Sequence, residues 1–147
     1  MDTAIETPAP PAVTPAIVQK ERHRIVIVED DFLIGMLLTD MLEMLGHEVC
    51  ANESTEAGAV AAEAKWRPSL MIVDAQLREG SGLSAVEKIL RDRAIPIIFV
   101  TGDVYSVLKA RPQAVVVEKP FTESCLISAL QRASADTRPC TLSDARR

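Results

Sequence analysis

Five short apolar runs recur along the middle of this 147-residue chain. Most are rich in Val and Ile, and none is longer than seven residues, which is typical of buried β-strands. The five predicted strands are residues 24–28, 47–51, 69–74, 96–102 and 114–120. An acid follows the first run directly and another ends the third, which is unusual for buried strands.

Segments with helical spacing of apolar residues separate these runs. Four of them predict full helices, at residues 32–46, 54–66, 81–92 and 122–133. Gly46 is expected just after the end of the first helix, and Ser84 with Glu87 predicts a capping box in the third. The segment between strands four and five contains Pro112, so only a short fourth helix is expected there.

Strands that alternate with helices predict βαβ units and a parallel sheet with helices on both faces. The crossovers in such units are nearly always right-handed. Ligand sites in these sheets lie beyond the carboxyl ends of the strands. The residues that follow each strand are therefore the candidates for chemistry.

The folded domain is expected to span residues 23–133. Residues 1–22 are rich in Pro and Ala and cannot bury a core, so they predict a disordered tail. Residues 134–147 are polar and predict a flexible C-terminal tail. No DNA-binding or enzymatic module is expected after the last helix.

Composition narrows the function. Aromatic residues make up only 3% of the chain, so the core must be aliphatic, and Met36, Met41 and Met44 are expected to pack in it together with Cys50 and Cys125. A net charge of -5 argues against binding to nucleic acid or to an anionic membrane. The sequence shows no signal peptide and no membrane span, and three distant cysteines suggest neither a disulfide nor a metal site. These features predict a cytoplasmic protein.

Polar residues cluster at the predicted strand ends. The candidates in chain order are Glu29, Asp30, Asp31, Asp74, Thr101, Gly102 and Lys119. Three adjacent acids repel one another unless a positive group lies among them. Carboxylates grouped at one sheet edge form a site for Mg²⁺, which takes its remaining ligands from water and phosphate.

The same set suggests phosphoryl transfer. A carboxylate such as Asp74 can attack phosphorus and form an aspartyl phosphate. The charge on the transferred group must then meet donors, and Lys119 and Thr101 supply an ammonium and a hydroxyl. Gly102 leaves space for the phosphoryl group beside the strand.

The order and spacing of these residues resemble the receiver domain of two-component response regulators. The resemblance implies a flavodoxin-like (βα)5 fold with a parallel sheet in the order 2-1-3-4-5. It identifies Asp74 as the phosphoacceptor, Thr101 as the switch hydroxyl and Lys119 as the phosphate-sensing lysine. It further implies Mg²⁺ held by Glu29, Asp30, Asp74 and the backbone carbonyl of Gln76, hydrolysis tuned by Gln76 and Asp103, and a cis peptide bond before Pro120.

The chain departs from the family pattern in three places. Leu77-Arg78 replaces the usual Met-Pro pair after the phosphoacceptor, and Val116 stands where the family has a switch aromatic. The stretch "FVTGD" and the short fourth helix resemble a subgroup of stand-alone bacterial receivers. Whether Tyr105 replaces the missing aromatic stays open.

The resemblance implies a single-domain response regulator in a phosphorelay. A sensor histidine kinase or a histidine phosphotransfer protein would deliver the phosphoryl group. Output would run through contacts with an unidentified downstream protein, or through competition for phosphate. Self-catalysed phosphotransfer and dephosphorylation are the only enzymatic activities expected.

Two other functions stay open from the sequence. The first is a receiver-like interaction module that is not phosphorylated. The second is a Mg²⁺-dependent phosphohydrolase with an aspartyl phosphate intermediate, which would need a second Asp as acid and base two residues after the nucleophile. Gln76 occupies that position and cannot transfer the proton.

Overall fold

Five strands and five helices alternate in the computed structural model, which describes residues 22–135. The elements are β1 (Arg24–Val28), α1 (Phe32–Met44), β2 (Glu48–Glu53), α2 (Glu56–Trp66), β3 (Leu70–Asp74), α3 (Gly82–Asp92), β4 (Ile97–Thr101), α4 (Val104–Ala110), β5 (Val115–Glu118) and α5 (Glu123–Ala135). Nearly all of both predicted tails lies outside the described residues. The predicted limits of the domain, 23 and 133, stay a prediction.

The five strands form one parallel sheet in the order β2-β1-β3-β4-β5. This is the flavodoxin-like arrangement that the alternating pattern and the resemblance predicted. β2 extends beyond its predicted end because Asn52 and Glu53 pair with Ile27 and Val28. Both added residues are polar, so hydropathy alone could not include them.

Each face of the sheet has its own aliphatic core. Alternate side chains of the strands, such as Ile27 and Ile72, pack with α1 and α5 on one face. The intervening ones, such as Val28 and Val73, pack with α2, α3 and α4 on the other. The sheet is therefore covered on both sides, and its carboxyl edge is left as the place where polar side chains meet.

Local capping fixes where the helices begin. The carboxylate of Asp31 accepts hydrogen bonds from the backbone N–H groups of Leu33 and Ile34 and caps α1, so the third acid of the run has a structural role. Gly46 follows α1 with a φ of 94°, as expected. The capping box predicted at Ser84 is wrong, because Ser81 caps α3 and accepts a hydrogen bond from the backbone N–H of Ser84.

Three predicted core residues lie at the surface instead. Met41 packs against the core, but 46% of Met36 and 86% of Met44 are exposed. Leu38 and Leu42 bury one side of α1, and because the helix is apolar nearly all round, other apolar residues such as Met36 and Met44 are left in solvent. Cys125 is exposed in α5 and Cys50 only partly buried. None of the helices between residues 22 and 135 is both long and apolar enough to cross a bilayer.

Candidate functional site

Acidic side chains from β1 and β3 converge at the carboxyl edge of the sheet. Val28 and Val73 are partners in the parallel register, so the residues that follow them are neighbours. Glu29, Asp30 and Asp74 each place one carboxylate oxygen within 4.8 Å of the others. Residues 45 positions apart thus form one site, as the strand-end rule predicted.

Lys119 reaches this acidic group from the end of β5. Its Nζ donates hydrogen bonds to Oε1 of Glu29 at 2.7 Å and to Oδ2 of Asp74 at 2.8 Å. The Lys119–Pro120 peptide bond is cis, as the resemblance implies. The backbone N–H of Lys119 also donates to the carbonyl oxygen of Thr101, which ties the ends of β4 and β5 together.

Burial and mutual contacts shift the pKa values of Glu29 and Lys119. Burial and the neighbouring Asp74 carboxylate raise the pKa of Glu29 from 4.5 to about 8, against the opposing effect of Lys119. Burial lowers the pKa of Lys119, but its hydrogen bonds to Asp74 and Glu29 outweigh that effect and raise it overall. The ammonium form of Lys119 is therefore stabilised overall, whereas Lys119 does not offset the cost of burying the charge of Glu29.

The donor set fits a hard divalent cation. Oε2 of Glu29 is buried and has no hydrogen-bond partner among the described residues. A buried carboxylate oxygen without a partner is costly, and a cation beside it would remove that cost. Three carboxylates within 4.8 Å are the kind of ligands that Mg²⁺ takes. A divalent cation at this site would therefore supply the positive charge that the single lysine does not.

The raised pKa of Glu29 predicts how stability changes with pH in metal-free protein. Between pH 4.5 and about 8 the folded state keeps a proton that the unfolded chain has lost, so the free energy of unfolding falls as the pH rises through this window. In the middle of this window, the loss of unfolding free energy due to Glu29 approaches ~1.4 kcal/mol per pH unit. Glu29→Gln, which stays neutral, should flatten the decline in urea denaturation measured with EDTA.

Glu118→Gln is the matched control, because Glu118 is an exposed carboxylate at the end of β5. It should leave the decline unchanged. Equal slopes for wild type and Glu29→Gln would show that Glu29 does not hold the extra proton.

The loop after β3, residues 75–81, is packed tightly against the candidate phosphoacceptor. The backbone N–H of Gln76 donates to Oδ1 of Asp74 at 3.0 Å. Gly82 lies so close to the strand that a Cβ there would collide with the carbonyl oxygen of Asp74. Glycine at position 82 therefore lets α3 begin directly behind Asp74.

The predicted residues after β4 occupy different surroundings. Thr101 is buried, and its hydroxyl oxygen accepts a hydrogen bond from the backbone N–H of Asp103. The carboxylate of Asp103 caps α4 through two hydrogen bonds from Ser106, which lower its pKa. Gly102 borders open space. Tyr105 lies in α4 with 73% of its surface exposed.

Two contacts of the 75–81 loop were not predicted. The backbone N–H of Arg78 donates to Oδ2 of Asp30 at 2.8 Å. The carboxylate of Glu56 accepts from the backbone N–H of Ser81, from the hydroxyl of Ser84 and from Nζ of Lys88, which lower its pKa to about 2 with Lys88 contributing most. These contacts join residues 25 to 48 positions apart, and no local sequence pattern marks them.

Fold and site together define a receiver: a five-stranded parallel sheet with an acidic group, a buried threonine and a lysine at its carboxyl edge. The chain belongs to the response regulator receiver domain family, whose model matches residues 25–131.

Relatives of known structure support this assignment. The receiver domain of PhyR from Erythrobacter litoralis is 34% identical, with a TM-score of 0.75 over 82% of this chain and 97% of that one. The anti-anti-sigma factor PhyR from Bartonella quintana is 32% identical, with a TM-score of 0.70 over 81% of this chain and 49% of that one.

A curated relative shows the same likeness in sequence. The phyllosphere-induced regulator PhyR of Methylorubrum extorquens is 40% identical over 114 residues. That match covers 74% of this chain but only 42% of the relative. The family assignment therefore covers the receiver domain, and it does not extend to the activity of a longer relative.

Proposed function

We propose that this receiver accepts a phosphoryl group on Asp74 in Mg²⁺-dependent phosphorelay signalling. The observation that carries the proposal is the position of the Asp74 carboxylate, which lies beside those of Glu29 and Asp30 and accepts a hydrogen bond from the ammonium of Lys119. The donor would be a sensor histidine kinase or a histidine phosphotransfer protein in the cytoplasm. In the transfer, a carboxylate oxygen of Asp74 forms a bond to phosphorus while the bond from phosphorus to the histidine nitrogen breaks.

Each residue at the sheet edge has a task in that step. Bound at Glu29, Asp30, Asp74 and the Gln76 carbonyl, Mg²⁺ would neutralise charge on the phosphoryl oxygens. Lys119 leaves its hydrogen bond to Asp74 and donates to a phosphoryl oxygen. The Thr101 hydroxyl donates to another, and the open space at Gly102 admits the group. Gln76 and Asp103 would tune the later hydrolysis of the aspartyl phosphate by water.

Phosphorylation would also change the surface beyond the site. Lys119 is bonded to Glu29 and Asp74 through its ammonium and to Thr101 through its backbone. Moving the ammonium and the Thr101 hydroxyl to the phosphoryl group therefore pulls on the ends of β4 and β5 together. The segment 103–111, β5 and α5 are the elements attached to these ends, and their arrangement would be biased toward a second state.

The exposed side of α1 supports contact with a protein donor. Phe32, Leu33, Met36 and Leu37 are between 46% and 76% exposed, a large apolar area for the first two turns of one helix. α1 begins directly after the acidic run, so a helix docked there would bring its histidine to Asp74. We propose that the partner histidine protein covers this side of α1.

The downstream output would be a protein contact. A relative of similar structure, PhyR from Bartonella quintana, is an anti-anti-sigma factor. The net charge of -5 gives no support for a nucleic-acid partner. The phosphohydrolase alternative is disfavoured because Gln76 lies where that mechanism needs an acid. Phosphorylation by acetyl phosphate distinguishes the proposed receiver from an interaction module that is not phosphorylated.

Purified protein with acetyl phosphate and Mg²⁺ should gain one acid-labile phosphoryl group, measured by intact mass. Replacing Mg²⁺ with EDTA should abolish the gain, because the charge of the incoming phosphate is then not neutralised at the acidic site. Potassium chloride of matched ionic strength is the control for screening. Full phosphorylation in EDTA would contradict the metal requirement, and no phosphorylation in either condition would favour the interaction module.

A further inference from the structure

Arg78 occupies a position in the 75–81 loop where the family usually has proline. Proline has no backbone N–H and cannot donate a hydrogen bond. Arg78 has one, and it donates to Oδ2 of Asp30 at 2.8 Å. The departure from the family pattern therefore adds a donor directed at a carboxylate of the acidic site.

The side chain of Arg78 adds a second contact to the same oxygen. Its Nε lies 3.9 Å from Oδ2 of Asp30. The Asp30 side chain is only 16% exposed, whereas that of Arg78 is 84% exposed. One oxygen of a mostly buried carboxylate thus faces both the amide and the guanidinium of a single loop residue.

We propose that Arg78 is a positioning residue that competes with Mg²⁺ for Asp30 and so ties the 75–81 loop to the state of the metal site. This inference rests on the proposed function of the site. An oxygen that accepts a hydrogen bond and faces a guanidinium is a weaker ligand for another cation, because its negative potential is partly neutralised. Mg²⁺ binding therefore weakens the contact between Asp30 and Arg78.

Lys119 and Arg78 divide the three acids between them. Nζ of Lys119 is bonded to Glu29 and Asp74, and Asp30 faces Arg78. Each carboxylate of the metal-free site therefore has a cationic residue beside it. The loop also contains Gln76, whose carbonyl is the fourth proposed ligand. Release of Arg78 therefore removes one restraint on the loop as the metal shell is completed.

Calorimetric titration with Mg²⁺ tests the side chain. Arg78→Ala removes the guanidinium and should lower the Kd for Mg²⁺ roughly twofold to fivefold, the range for one exposed charge beside a partner. Arg78→Glu should lower it further, and Arg78→Lys should stay near the wild-type value. Arg91→Ala is the matched control, since Arg91 is exposed in the last turn of α3.

The amide of Arg78 is followed by NMR in wild-type protein. With Mg²⁺ at saturation its proton should move upfield and exchange with solvent about tenfold faster, as a hydrogen bond to a charged acceptor weakens. A purely structural role for Arg78 would leave this signal unchanged by the metal.

The outcomes separate this proposal from the metal site itself. The competition would be disproved if the wild type and all three Arg78 variants had the same Kd for Mg²⁺. It would also be disproved if the Arg78 amide kept its chemical shift and exchange rate at Mg²⁺ saturation. If the wild type binds no Mg²⁺, the proposed metal site fails and this proposal fails with it. If the wild type and Asp30→Ala bind equally well, Asp30 is not the contested ligand and the competition is also overturned.

Discussion

Asp74→Asn should abolish phosphorylation by acetyl phosphate. The amide is close in shape to the carboxylate, but its nitrogen and neutral oxygen cannot act as the anionic nucleophile. Asp74 is buried at the end of β3 and accepts a hydrogen bond from Lys119. Among the described residues, Glu29 is the only other carboxylate bonded to that ammonium. Intact-mass measurement in Mg²⁺ should find no phosphorylated protein under conditions that modify the wild type fully.

Asp31→Asn is the matched control for this variant. Asp31 belongs to the same acidic region, but its carboxylate caps α1, and asparagine caps helices equally well. The control should therefore be phosphorylated like the wild type. Full phosphorylation of the Asp74→Asn variant would show that another residue is the phosphoacceptor.

Asp30→Ala should weaken Mg²⁺ binding by at least ~10-fold, a loss seen even for residues that only support metal ligands. The variant removes one of the three carboxylates that lie within 4.8 Å of one another. It also removes one of the contacts that hold the 75–81 loop, because the backbone N–H of Arg78 loses its acceptor. Calorimetry is more suitable than tryptophan fluorescence, since Trp66 ends α2, whereas it is the start of that helix that lies beside the loop, through the bridge between Thr55 and Glu79.

Asp40→Ala controls for the change in net charge, because Asp40 is an exposed aspartate of α1. Its Kd for Mg²⁺ should match that of the wild type. If Asp30→Ala also kept the wild-type Kd, Asp30 would not be a ligand, and the metal would have to be held by Glu29, Asp74 and the Gln76 carbonyl.

The sequence predicted the fold well where apolar patterning decides it. The alternation of buried runs with helical segments was enough for a parallel sheet, and Pro112 explained the seven-residue α4. Surface positions were predicted less well. Met36 and Met44 are apolar but exposed, because hydropathy does not show which side of an apolar helix faces the sheet.

The residues of the site were likewise predictable only in part. Strand-end acids and the lysine could be predicted, because parallel strands bring their carboxyl ends to one edge. The hydrogen bond from Arg78 to Asp30 and the contacts of Glu56 with α3 could not. They depend on the path of a loop and on side chains from elements far apart in sequence, which only the packed structure brings together.

Chemical mapping of the phosphorylated residue is the most direct test of the central claim. Borohydride reduces an aspartyl phosphate to homoserine, which peptide mass spectrometry can locate in protein treated with acetyl phosphate and Mg²⁺. The account predicts homoserine at position 74 alone, and none when EDTA replaces Mg²⁺. Homoserine at another aspartate, or a label at position 74 that forms equally well in EDTA, would contradict it.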